Sequence, residues 1–308
     1  MRRRFLAVAI LLATAGAFAL VALRMSHHAL AAAASPRWPY LIVSFVIACA
    51  VQPLRALAWR TTLRAPVEFR ALFAASAIGS FLDTVLPGRL GEASKVGVLR
   101  VASGPRWPGL PRAAGSLLAA HLLEAIAFAV IGAASAFFLP FPTWARGALV
   151  GGLALAAGGM IAATLLHRRI GHRLPRALNR FLAGAAAPPR VLAQAGCVLL
   201  VTWLVRWFGV MFLLNAVGVR AGLDVALVYM VVTGLANTAP LLPGNAGLYQ
   251  GAAIGALALV GHAGEQAIAV SLLAPVFASI VTGTAALVGM ALYGRRFLEL
   301  PRAAFARA

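Results

Sequence analysis

Apolar residues in this chain come in long unbroken runs rather than at helix or strand spacing. Six runs predict helices that are apolar on every side: Phe5–Leu23, Trp38–Leu57, Ala113–Leu139, Trp144–Leu166, Val191–Val217 and Gln266–Tyr293. A helix needs about 20 such residues to cross a hydrocarbon core of roughly 30 Å, so the pattern predicts an all-α polytopic membrane protein with six full spans. Two further apolar stretches, Glu68–Val101 and Gly222–Gly261, are each broken by a Pro-Gly pair and predict interrupted helical hairpins.

The two breaks echo each other. "LPGRLG" at 86–91 returns as "LPGNAG" at 242–247. Shifting the chain by that interval lays the second run on the fifth and the third largely on the sixth. One membrane domain therefore reads as repeat 1 (about 38–139), a linking span (144–166), a basic cytoplasmic loop (167–190) and repeat 2 (about 191–293). Each repeat holds an even number of crossings whether its hairpin re-enters or spans fully, and one span separates them, so they must lie inverted. Matching interruptions in inverted halves point to a transport site at the membrane midplane. Short loops between full spans would give the same spacing.

Composition agrees with the bilayer: of 308 residues, 62% are hydrophobic and 11% charged, and mean hydropathy is +0.91. A net charge of +20 in a soluble protein would point to nucleic acid. Here arginine follows topology instead, with 20 on the side of the N-terminus against 4 on the other. This positive-inside bias places both termini in the cytoplasm. Abundant Ala and Arg with a single Lys fit a bacterial inner-membrane protein. Residues 1–34 also have the order of a cleaved signal, but the long apolar run and the arginine bookkeeping favour an uncleaved span. Cys49 and Cys197 fall inside spans, which argues against a disulfide framework.

The candidate chemistry lies at the breaks. Pro87 and Gly88, with Gly91, stop one half-helix and let the chain reverse. Arg89, Glu92 and Lys95, spaced by three, share one side of the following helix, whose N-terminus favours an anion. Asp83 precedes the turn as a cap or a proton carrier. The second break, with Pro243, Gly244 and Gly247, has only neutral polar company, led by Asn245, Tyr249 and Gln250. His121 and Glu124, one turn apart in the third run, are candidates for proton coupling or for a helix-joining hydrogen bond. Arg206, flanked by Trp203 and Trp207, fits interfacial snorkelling as well as substrate contact. The scattered acids make no metal site, and no phosphate-binding loop for ATP is present, so no cofactor is expected.

The pair "PGRLGEASKVGVL" and "LPGNAGLYQGAA" resembles the lysylphosphatidylglycerol synthase transmembrane-region family of flippase-like membrane proteins, over roughly residues 5–295. That resemblance implies roles for Pro87, Arg89, Gly91, Glu92 and Lys95, and less directly for Pro243, Gly244 and Gly247. Gln250 stands where many relatives carry Glu, and His121 with Glu124 match a Glu-Arg-x-x-Asp pattern of the family poorly. It also implies lipid translocation: in two-domain relatives this region is thought to flip an aminoacylated phospholipid made by an attached soluble domain. With only 294–308 after the last span, lipid synthesis is not expected.

The expected function is therefore a lipid flippase, not an enzyme. Its substrate would be an anionic lipid: a phospholipid, an aminoacylated phospholipid or a polyprenyl-phosphate-linked glycan. Expected partners are that lipid, anionic inner-leaflet lipids and a separate lipid-modifying enzyme, with no nucleic acid. Two alternatives stand beside it: a non-transporting partner of a lipid-modifying enzyme or glycosyltransferase, docking through 167–190, and a membrane enzyme acting on lipid phosphate.

Overall fold

The computed structural model describes residues 36–85, 90–238 and 247–293. The first predicted span, Phe5–Leu23, lies outside them, as do Pro87, Gly88, Arg89, Pro243, Gly244 and Asn245. The described residues form ten α-helices and two short 3-10 turns, with no strand. Five helices are long and apolar enough to cross a membrane: α1 (Trp38–Leu63), α4 (Leu110–Ser135), α5 (Thr143–Ile170), α7 (Pro189–Ala216) and α10 (Glu265–Tyr293).

Four helices belong to the interrupted segments: α2 (Phe69–Val85), α3 (Leu90–Ser103), α8 (Leu223–Ala236) and α9 (Leu248–Leu259). At 12 to 17 residues, they rise only about 18–26 Å each, short of the roughly 30 Å core. The Pro-Gly echo thus marks helix ends, with α2 stopping at Val85 and α3 starting at Leu90.

Packing follows the membrane rule that small residues let backbones approach. Helices α1 and α7 lie antiparallel: the Arg37 amide donates to the Ala216 carbonyl (2.7 Å), and the Ser44 hydroxyl to the Gly209 carbonyl (2.8 Å). The legs of the first hairpin meet at glycines. A Cβ on Gly91 would sit 2.3 Å from both the Asp83 nitrogen and the Gly79 oxygen, and one on Gly79 only 2.2 Å from Lys95 Cγ. Helix α10 closes over α2, where a Gly289 Cβ would lie 3.0 Å from Ala74 Cα. The last described helix therefore packs on the first interrupted segment. Helix α5 stands at the periphery, with Val150, Leu155 and Ile161 all exposed, as lipid-facing side chains should be.

Two features depart from the sequence reading. The second run ends at Leu57 by hydropathy, but α1 continues to Leu63 and carries Arg55 as an interior position of the helix. The basic loop 167–190 is folded: a 3-10 turn (Gly171–Arg173) leads into α6 (Arg176–Ala185), which packs on α4. Leu182 and Ala185 are buried there beside Ala163. Gly115 and Gly184 make the fit possible, since Cβ atoms on them would lie 2.0 Å from the Phe181 oxygen and 2.6 Å from the Arg112 oxygen.

Candidate functional site

The first hairpin delivers Glu92 and Lys95 one turn apart on α3, and α4 delivers His121 and Glu124 one turn apart, which lets the two pairs interlock. Lys95 Nζ donates to Glu92 Oε1 (2.6 Å), and His121 Nε2 lies 2.6 Å from Glu92 Oε2. The other imidazole nitrogen is 3.8 Å from Glu124 Oε2, and Glu124 in turn accepts from Arg55 Nη2. The result is a continuous alternation, Lys95–Glu92–His121–Glu124–Arg55, from α3 through α4 to α1. Lys95 is only 4% exposed. Such a charge is tolerable away from water only with a close counter-ion.

Asp83, from α2, accepts the Glu92 amide proton through Oδ1 (3.0 Å). It thereby satisfies a free N–H in the first turn of α3. Gly91, next to that bond, allows the approach. Gly247 (φ 86°) enters α9 in the left-handed region that suits glycine, and its amide donates to Gln250 Oε1 (2.6 Å). Gln250 thus closes the start of its own helix.

Arg55 opens onto a cavity of about 200 Å³ shared by α1, α7, α8, α9 and α10. Arg206 of α7 lines the same cavity, with its guanidinium carbon 4.9 Å from the Trp203 ring centre. Among the described residues, Arg206 has no carboxylate within ion-pair distance. Facing it, the Tyr229 and Tyr249 hydroxyls share a hydrogen bond (2.8 Å). Among the described residues, Tyr249 is thus the predicted site residue of the second hairpin that reaches this cavity. Trp203 also donates its indole N–H to the Glu124 carbonyl (3.3 Å), which ties the cavity wall to the ion-pair chain.

The structure therefore brings together Asp83, Glu92, Lys95, His121 and Glu124, and separately seats Tyr249 beside Arg55 and Arg206. Sequence reasoning missed Arg55 as an intramembrane cation and Tyr229 as the partner of Tyr249. For Arg55 a signal existed: it falls inside the run Trp38–Leu57, where an arginine needs a partner. No group of three or more His, Cys, Asp or Glu among the described residues is arranged to hold a metal ion.

Fold and site together define a polytopic helical membrane protein whose interior carries an ion-pair chain beside a cationic cavity. The model of the lysylphosphatidylglycerol synthase TM region matches residues 4–286, nearly the whole chain, and the protein belongs to that family. Membership ties it to membrane lipid metabolism or transport. No curated protein and no solved structure matches the chain.

Proposed function

We propose that this protein is a flippase that moves an anionic lipid across a bacterial inner membrane, with both termini in the cytoplasm. The observation that carries the reading is Arg206, an intramembrane arginine that lines a cavity and has no carboxylate partner among the described residues. A half-buried intramembrane cation lacking a counter-ion favours an anion arriving from outside, and a guanidinium suits the oxygens of a phosphodiester. Helices α2, α3, α8 and α9, too short to span, are read as two re-entrant hairpins of an inverted repeat. The antiparallel packing of α1 on α7 supports that reading. Rocking of the two halves would expose the cavity to each leaflet in turn.

The ion-pair chain offers a coupling device. An anionic headgroup that engages Arg55 draws it from Glu124, and a carboxylate left unpaired at that depth takes up a proton rather than stay charged. His121, between Glu92 and Glu124, stands on the path by which that proton reaches it. Lipid and proton would then move together. Arg89 and Asn245 are assigned to the two hairpin mouths in this scheme.

The test separates transport from enzymology. In sealed proteoliposomes the protein should accelerate the exposure of an inner-leaflet fluorescent phosphatidylglycerol to an impermeant quencher, and in detergent it should leave that lipid chemically unchanged. Conversion of the lipid in detergent, or exchange no faster than in protein-free vesicles, would reject the proposal.

A further inference from the structure

A second concentration of positive charge lies away from the central cavity, at the end of the bundle where α1 finishes and α4 begins. Four segments converge on it. Arg64 caps α1, Arg112 stands in the first turn of α4, His167 in the last turn of α5, and Arg180 on α6. They line a cavity of about 400 Å³, and among the described residues no Asp or Glu contributes to its wall. None of the four makes an ion pair among the described residues.

The site is built rather than incidental. Arg64 is the only non-glycine among the described residues with positive φ (49°), a conformation that costs a β-carbon about 1 kcal/mol. From that turn its Nη2 donates to the Ala183 carbonyl and to the Ala186 carbonyl (3.3 Å), pinning the end of α6. Arg112 Nη2 donates back to the Arg64 carbonyl (2.7 Å). His167 is held by Asn179 (3.1 Å) beside Gly171, where a Cβ would come within 2.9 Å of the Asn179 oxygen. The glycine contacts between α4 and α6 fix the geometry of the whole. Yet the donors are not exhausted. Among the described residues, the buried Arg64 Nε has no acceptor and the exposed Arg180 makes no side-chain hydrogen bond. Burial and the neighbouring Arg112 guanidinium both work against the charge on Arg64. Gathering three guanidiniums without an acid costs repulsion that an anion would relieve.

We propose that this pocket binds a phosphate group. It is a site distinct from the translocation cavity, on the face that the arginine bias assigns to the cytoplasm. Three guanidiniums presented from the end of α1, the start of α4 and the middle of α6 suit a tetrahedral oxyanion with several acceptor oxygens. The group could be carried by the headgroup of an anionic phospholipid or by a soluble phosphate, and the chemistry of recognition is the same. Occupancy would clamp α6 to the ends of α1 and α4, and so stabilise the bundle where those helices meet.

The experiment uses the full chain in an uncharged detergent, in an Arg206→Gln background so that the central cavity does not report. Thermal unfolding is followed with inorganic phosphate against chloride at constant ionic strength, and with short-chain phosphatidylglycerol against short-chain phosphatidylcholine. A saturating ligand should raise the Tm by about 5 °C. Adding Arg180→Glu, a change at an exposed position without side-chain partners, should abolish the rise. Arg180→Lys should retain part of it. A rise with phosphatidylglycerol alone assigns the site to lipid, with phosphate alone to a soluble ligand, and with both to the shared group. No rise with either, or a rise that survives Arg180→Glu undiminished, overturns the proposal. Neither result bears on flipping, which is measured separately.

Discussion

The two hairpins share a plan and differ in what holds them. In the first, α2 and α3 touch backbone to backbone at Gly79 and Gly91, Asp83 accepts the Glu92 amide, and the Glu92 carboxylate is shared by Lys95 and His121. In the second, the inner leg α8 is apolar through Val225–Val228 and Val231–Val232, and it offers the cavity Tyr229, paired with Tyr249 of α9, and Thr233. Gly251 and Gly255 of α9 have nothing within 4 Å of where a Cβ would go. Those two glycines lie on the exposed side of α9, whose packed side is Ala253, Ala256 and Leu257, all fully buried. The first hairpin is thus joined backbone to backbone and through ion pairs, and the second by small apolar side chains. The contrast sets the first hairpin in the ion-pair chain and Tyr229 and Tyr249 of the second in the wall of the cavity.

The sharpest break of this comparison is steric. Gly91→Ala forces α2 and α3 apart against backbone atoms, and should cost about 3 kcal/mol or more, read as a loss of folded protein after detergent extraction. Gly251→Ala, the matching insult to the second hairpin, should be neutral or stabilise by up to about 1 kcal/mol through helix propensity. Equal effects would mean that the hairpins are packed alike.

Electrostatic breaks come next. Removing one partner of the Arg55–Glu124 pair, as in Arg55→Met, leaves a carboxylate that is 15% exposed without its cation. The loss should reach about 3 kcal/mol, and the double change Arg55→Met with Glu124→Leu should recover most of it. The exposed Arg106–Glu68 pair near the base of the first hairpin, 57% and 60% exposed, should cost less than about 1 kcal/mol when broken. Smallest of all is Tyr249→Phe, which removes a single neutral hydrogen bond worth about 1 kcal/mol. Its effect should appear in lipid movement before it appears in Tm.

How much of this was legible beforehand follows from range in sequence. Hydropathy located all five described spanning helices because membrane burial is a property of a local window. The Pro-Gly echo located the hairpin ends for the same reason. The chain from Lys95 to Arg55 was half legible: the spacing of Glu92 with Lys95 and of His121 with Glu124 is local, but the step from Glu124 to Arg55 joins residues 69 apart and exists only once α1 meets α4. Arg55 lies near the end of the run Trp38–Leu57, and its depth shows only because α1 continues to Leu63. Helix α6 stayed hidden because a segment rich in Arg and Pro reads as exposed loop. Its docking depends on two glycines, Gly115 and Gly184, that are distant in sequence.

The central claim is that Arg206 receives the headgroup of an anionic lipid. It is tested most directly by the transbilayer rates of fluorescent phosphatidylglycerol and phosphatidylcholine in sealed proteoliposomes, for the natural chain and for Arg206→Gln. Loss of one charge-assisted interaction should slow phosphatidylglycerol about tenfold or more, with the phosphatidylcholine rate and the Tm unchanged. A phosphatidylglycerol rate indifferent to Arg206→Gln would contradict the account.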